Sequence, residues 1–222
     1  MSSAPDRAVD LSALALEAST CTLCSLSEGR TNVVFGSGHS DADLVIIGEG
    51  PGQREDEQGL PFVGRSGQLL DQLLGEIDLD RADVYITNVV KCRPPRNRDP
   101  REDEIEACKP YLRSQLTLID PKVVLTLGNF ASKLLLKTTT GITRLRGHAY
   151  PWWRRHLIPT FHPAAALRGN ARVLEEMRFD FQLVRAAIDG ELGIEQPADD
   201  ATAAEPRSPE PEQDPSQLEM WR

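Results

Sequence analysis

The chain has 222 residues, 40% apolar and 27% charged, enough apolar content for one packed domain. No apolar run approaches the ~18 residues that cross a bilayer, and the N-terminus lacks the basic start and apolar stretch of a secretory signal, so neither a membrane span nor secretion is expected. The formal net charge is −9, of which residues 189–222 carry −8, so the nearly neutral body is not excluded from binding nucleic acid.

Asp43–Gly48 reads as the first strand, short, apolar and β-branched. Leu69, Leu70, Leu73, Leu74 and Ile77 then repeat at the spacing of one helix face. A second strand is predicted over Asp83–Val90. Ile105, Cys108, Leu112, Leu116 and Ile119 predict a second helix, which Pro110 is expected to break or kink. Lys122–Gly128 is a third strand. It leads into a helix over Asn129–Leu136 with Asn129 as its expected N-cap. Leu157–Phe161 is the fourth strand, and Arg172–Ile188 the last helix. Strands alternating with helices predict a three-layer α/β/α sandwich around a short, mostly parallel, four-stranded sheet. Fully apolar strands fit a sheet covered on both faces. The expected folded domain is 1–188. The tail, 189–222, is rich in Pro, Glu, Asp and Ala and is expected to be disordered.

Ligands of such sheets bind beyond the carboxyl ends of the strands. The unusual residues lie there: Gly48-Glu49, Thr87-Asn88, Gly128 and Phe161-His162. Gly48-Glu49-Gly50-Pro51-Gly52 allows close backbone approach to a ligand, but its spacing is not that of the dinucleotide fingerprint. Gly59–Ser66 has the spacing of a P-loop but carries Arg65 where Lys belongs, contains Pro61 and follows no strand. His162, locked by Pro163, is placed to touch a ligand. Behind it, Leu167 and Arg168 suit an exposed apolar wedge beside a phosphate-holding cation. Lys91–Arg101 carries Arg93, Arg96 and Arg98 between prolines, the composition of a rigid phosphate-contacting loop.

The chain has four cysteines, Cys21, Cys24, Cys92 and Cys108. They are too few for a disulfide scaffold, and their grouping points to a metal site. Spacing alone fits zinc and an iron–sulfur cluster equally. Either would staple the N-terminal segment to the segment after the second strand.

Together these motifs resemble the family 4 uracil-DNA glycosylases, the iron–sulfur branch of the uracil-DNA glycosylase superfamily. The resemblance rests on GEGPGQREDEQGLPFVGRSGQLL (48–70), TNVVKCRPPRNRDP (87–100), the EIEACKPYL helix start (104–112), PKVVLTLG (121–128) and HPAAALR (162–168). It implies a [4Fe–4S] cluster on Cys21, Cys24, Cys92 and Cys108. It implies that uracil is flipped from DNA and its N-glycosidic bond hydrolysed to leave an abasic site. By the same resemblance Phe62 stacks on uracil, Asn88 reads its Watson–Crick edge, and backbone at Gly48 and Gly50 approaches the ring or sugar. His162 donates to O2 as the anion forms, Glu49 positions water, and Glu55 orients the loop or a water. No histidine lies between Cys92 and Cys108, which predicts turnover and not the covalent trapping of a sister branch. The rivals are a non-catalytic, cluster-containing DNA-binding module and a zinc-stapled hydrolase of small nucleotides. A monomer acting in the cytoplasm, at the nucleoid, is expected.

The C-terminus turns apolar again. Gln217, Leu218, Met220 and Trp221 resemble the peptide by which bacterial proteins bind the DNA sliding clamp. A 34-residue flexible tether spans roughly 30 Å, enough to recruit the enzyme without restraining it.

Overall fold

The computed structural model describes residues 4–169 and 171–192. The clamp-like peptide and almost all of the acidic tail lie outside the described residues.

Six strands form one sheet: β1 (Ser37–Gly38), β2 (Leu44–Gly48), β3 (Tyr85–Asn88), β4 (Val123–Leu127), β5 (Tyr150–Trp152) and β6 (Arg155–Thr160), in the order β1-β3-β2-β4-β6-β5. The four central strands are parallel and are the four predicted ones. The expected four-stranded sheet is corrected to six by antiparallel strands at both edges. These edge strands are two and three residues long, too short to show a period. β5 also contains Pro151, which an edge strand tolerates.

Side chains alternate through the sheet. Val45, Ile47 and Val124 enter the apolar layer shared with helices α1 (Ala4–Ser19), α4 (Glu102–Ile119) and α5 (Asn129–Leu136). Leu44, Ile46, Val123 and Leu125 enter the layer shared with α3 (Arg65–Gly75) and α8 (Ala171–Ile188). Both faces are covered, and every residue of β2, β3, β4 and β6 is buried. Burying each such side chain contributes about 1.5–3 kcal/mol.

Three local expectations change. Helix α4 runs through Pro110 without a break. Pro110 and Glu106 both lie on its exposed face, where water can satisfy the carbonyl that proline leaves unpaired. Gly128, not Asn129, caps α5, because the turn needs φ 92°, a left-handed value that favours glycine. Asn129 Oδ1 instead accepts from the Ile142 N–H at 3.0 Å. Helix α1 is new. Its inner face is Leu11, Leu14, Ala15 and Ala18, and it packs on α4.

Candidate functional site

A cavity of about 330 Å³ opens at the carboxyl ends of β2, β3 and β6, lined by Glu49, Gly50, Phe62, Asn88, Pro94 and His162. Four predicted positions meet there because each follows or ends a parallel strand, and Phe62 arrives from the loop between α2 (Gln53–Gln58) and α3.

Gly48 and Asn88 are register partners on β2 and β3. A Cβ on Gly48 would strike the Asn88 Oδ1 and come within 2.8 Å of the Phe62 Cζ. Glycine here therefore makes room for the carboxamide and the ring. Asn88 is buried, and its Oδ1 has no hydrogen-bond partner. An orphaned buried acceptor is costly unless a ligand satisfies it.

Phe62 has φ 52°, a left-handed value that a non-glycine residue holds only when its surroundings fix it. Arg81 donates to the Pro61 and Phe62 carbonyls at 2.9 and 2.7 Å. Glu55 Oε1 accepts from the Val63 and Gly64 N–H groups at 3.0 and 3.1 Å. Glu55 thus lines the cavity while one oxygen holds the Phe62 loop in place. Asp56, buried, accepts from the Thr31 and Asn32 N–H groups at 2.9 and 3.4 Å, a structural role.

His162 caps the short helix α7 (Pro163–Ala166), its Nδ1 accepting from the Ala164 N–H at 3.2 Å. The acceptor role of Nδ1 places the proton on Nε2, so the neutral ring carries one donor. Burial and the Arg168 guanidinium lower its pKa from 6.5, Glu55 opposing. The ring faces Phe62 with centroids 5.9 Å apart. Glu49 is half-buried, and burial, then the charge of Asp99, raises its pKa to about 7. Glu49 and His162 also line a second cavity of about 670 Å³, on the side of β4 and α5.

The candidate DNA residues divide. Arg93 bonds Asn97 Oδ1 at 2.8 Å, and Arg96 is exposed at φ 57°. Arg98 lines the main cavity, partly exposed, and pairs with buried Glu104 at 2.8 and 2.5 Å. Leu167 is partly exposed, with its remainder packed against the α3–α8 layer, and Arg168 beside it is exposed. Arg54 and Arg65 also line the main cavity. The sequence reading missed them as a pair, since isolated arginines in a polar loop show no pattern.

The four cysteines line one small pocket between α1, the loop after β3, and α4. Arg30 donates to the Cys21 carbonyl at 2.7 Å and to Cys92 Sγ at 3.4 Å. The Lys91 N–H donates to Cys108 Sγ at 3.2 Å. Burial pushes the Cys108 thiol up to about 11, so a thiolate there needs a compensating cation. The Lys91 side chain is fully buried and donates to Thr87 Oγ1, the Asn88 carbonyl and Gln115 Oε1, each at 2.7 Å. Four soft sulfur donors on one pocket fit a metal group.

The model of the uracil DNA glycosylase superfamily matches residues 35–185. The chain is 47% identical over 180 residues to a type-4 uracil-DNA glycosylase of Sulfurisphaera tokodaii, covering 76% of this chain and 80% of that one. It is 44% identical over 191 residues to a type-4 uracil-DNA glycosylase of Archaeoglobus fulgidus, covering 82% and 92%. A type-5 uracil-DNA glycosylase of Thermus thermophilus is 30% identical over 168 residues, covering 65% and 74%.

Proposed function

The chain belongs to the uracil DNA glycosylase superfamily, on its type-4 side, and from that premise we propose how its own residues excise uracil from DNA. The observation that carries the reading is the orphaned Asn88 Oδ1, buried beside Phe62 and His162. Uracil N3–H satisfies that oxygen, and the carboxamide N–H₂ meets O4. Cytosine presents the reverse pattern, which leaves buried polar groups mismatched. Phe62 stacks on the flipped ring. His162 Nε2–H donates to O2 as the uracil anion forms, without needing a charged imidazole. Glu49 takes the proton of the attacking water. Gly48 and Gly50 let the backbone approach the ring, and Glu55 holds the Phe62 loop. Arg54 and Arg65 at the cavity, with Arg93, Arg96 and Arg168, meet the phosphates.

Cys21, Cys24, Cys92 and Cys108 hold a [4Fe–4S] cluster in this reading. The four thiols lining one pocket, on a chain similar to type-4 uracil-DNA glycosylases, support the cluster. When bound, the cluster supplies a structural cross-link between the N-terminal segment and the loop after β3.

No helix of the described residues is long and apolar enough to cross a membrane. The enzyme works as a monomer on DNA, in the cytoplasm at the nucleoid. The domain is 1–188, and the tail 189–222 carries the clamp-binding peptide Gln217, Leu218, Met220 and Trp221. Deleting 216–222 should abolish clamp binding and spare cleavage of short oligonucleotides.

The test is cleavage of a labelled oligonucleotide with one uracil, followed by alkali, with Asn88→Ala and His162→Ala alongside. Breaks at uracil from the wild type and far fewer from both variants are expected. Intact DNA after incubation with cluster-loaded protein would replace this reading with a non-catalytic DNA-binding module.

A further inference from the structure

Glu49 stands between two cavities. The first takes the base. The second, on the side of β4 and α5, is lined by Glu49, Asp99, Gly128, Phe130, Lys133 and His162. Once uracil is seated, the second cavity is the side from which water can approach C1′.

We propose that Asp99 is a positioning residue for this water side: across the second cavity from Glu49, its carboxylate makes Glu49 a stronger acceptor for the proton of the attacking water. The inference rests on the glycosylase reading above and goes beyond it, since Asp99 lines the second cavity and not the one proposed for the base.

The surroundings fit. Asp99 is exposed, in the irregular segment Arg98-Asp99-Pro100. The segment is fixed from both sides, because Arg98 is gripped by Glu104 and also donates to the Asp99 carbonyl at 2.9 Å, and Pro100 is buried. The titratable groups lining the second cavity with Glu49 are Asp99, Lys133 and the neutral His162. From the first cavity they are Arg54, Glu55, Arg65 and Arg98. Arg98 is neutralised by Glu104, and one Glu55 oxygen is occupied by the Phe62 loop. Burial raises the Glu49 pKa first, and Asp99 raises it further, to about 7. A base with its pKa near the working pH combines availability with proton affinity.

The step balances. The C1′–N1 bond breaks and its electron pair leaves on uracil, where His162 Nε2–H stabilises it. The water oxygen bonds to C1′ and its proton passes to Glu49. The products are the uracil anion, the abasic deoxyribose and a protonated Glu49, which returns its proton to the uracil anion or to solvent. Asp99 is not consumed and transfers nothing.

The experiment is the pH profile of kcat/KM for the full, cluster-loaded chain on a uracil-containing oligonucleotide, from wild type, Asp99→Asn, Asp99→Glu and Glu49→Gln. Wild type should show an acid limb that Glu49→Gln abolishes. Asp99→Asn should move that limb down by about half a unit to one unit, with KM unchanged. Asp99→Glu should keep the wild-type limb, which a merely structural aspartate would not require. Should Asp99→Asn lose its cluster or fold, Asp99→Ser removes the same charge with a smaller side chain. An Asp99→Asn limb that coincides with the wild type, or an Asp99→Glu limb that moves as far as that of Asp99→Asn, would overturn the inference alone. A wild-type enzyme that leaves uracil in place would overturn the glycosylase reading itself.

Discussion

Gly48 and Asn88 face each other at the carboxyl ends of adjacent parallel strands, and the missing side chain of the first leaves the space that the carboxamide of the second occupies. Gly48→Ala would push both Asn88 and Phe62 out of place, since the added carbon meets them at once. Strand β2 is otherwise unaffected. The expected outcome is a roughly 100-fold or greater fall in kcat/KM on uracil-containing DNA, with little change in melting temperature. Steady-state kinetics and a thermal melt on one preparation decide it.

Glu49 should lower stability at alkaline pH. Its folded pKa is raised from 4.5 to about 7. The folded state therefore favours the protonated acid, and that contribution is full below about 4.5 and lost as pH rises through 7. Glu49→Gln should be more stable than wild type at pH 8 by about 1–2 kcal/mol, discounted for half-exposure, and equal to it near pH 4. Urea titrations at the two pH values test this, and equal stability at pH 8 would contradict it.

His162 should run the other way. Its pKa is lowered from 6.5 by burial and by Arg168. Its contribution to stability is present above 6.5 and declines as pH falls through the lower folded value. Protonating Nδ1 would also break its bond to the Ala164 N–H. An NMR titration of the four histidines should find one below 6.5, moving upward in Arg168→Gln. A His162 titration unmoved by that change would remove Arg168 as a cause.

Glu104 holds the start of α4 to the N-terminal cysteine loop. It accepts from Arg98, from Arg101 and weakly from Ser25, which follows Cys24, and Arg98 leads in lowering its pKa to about 2. Glu104→Gln should cost about 2–4 kcal/mol at pH 7, because it leaves Arg98 without its buried partner. The wild-type contribution should be full above about 4.5 and fade as pH falls toward 2. Denaturant melts of both proteins across that range give the answer.

Cys108→Ser should remove the visible absorption of the proposed cluster and loosen α1 before the sheet. Helix α1 packs on α4, and Cys21 follows directly from it. Limited proteolysis should cut the variant first within residues 4–30 and leave β2 to β6 protected. Simultaneous loss of both regions would show that the cross-link supports the whole domain.

The four central strands and the helices that cover them were legible because burial on both sheet faces leaves a largely apolar run. The start of β6 was not. Arg155 and His156 are buried there, and a charged residue hides a strand. Arg155 is accommodated by the Pro121 and Leu116 carbonyls and by Asp120, all distant in sequence. Helix α1 did carry a signal in Leu11, Leu14, Ala15 and Ala18, but small alanines make a faint stripe. At the site, Gly48, Asn88 and His162 stood out because strand ends are where such sheets bind ligands. Lys91, Asp99 and the pair Arg54 and Arg65 did not. Their surroundings are made by chain segments that meet only on folding.

The ladder between β2 and β3 acts as a ruler. Gly48 and Asn88 are held at the ~4.8 Å spacing of hydrogen-bonded strands, a distance that no loop sets. The connection from Glu49 to Val84 can lengthen, shorten or change its helices, and the gap between Gly48 and the amide proposed to read the base will not alter. A lineage that needed a different base would have to edit the strand tips themselves. Drift in the surrounding turns would change the grip on DNA while the choice of base stayed as the sheet measured it.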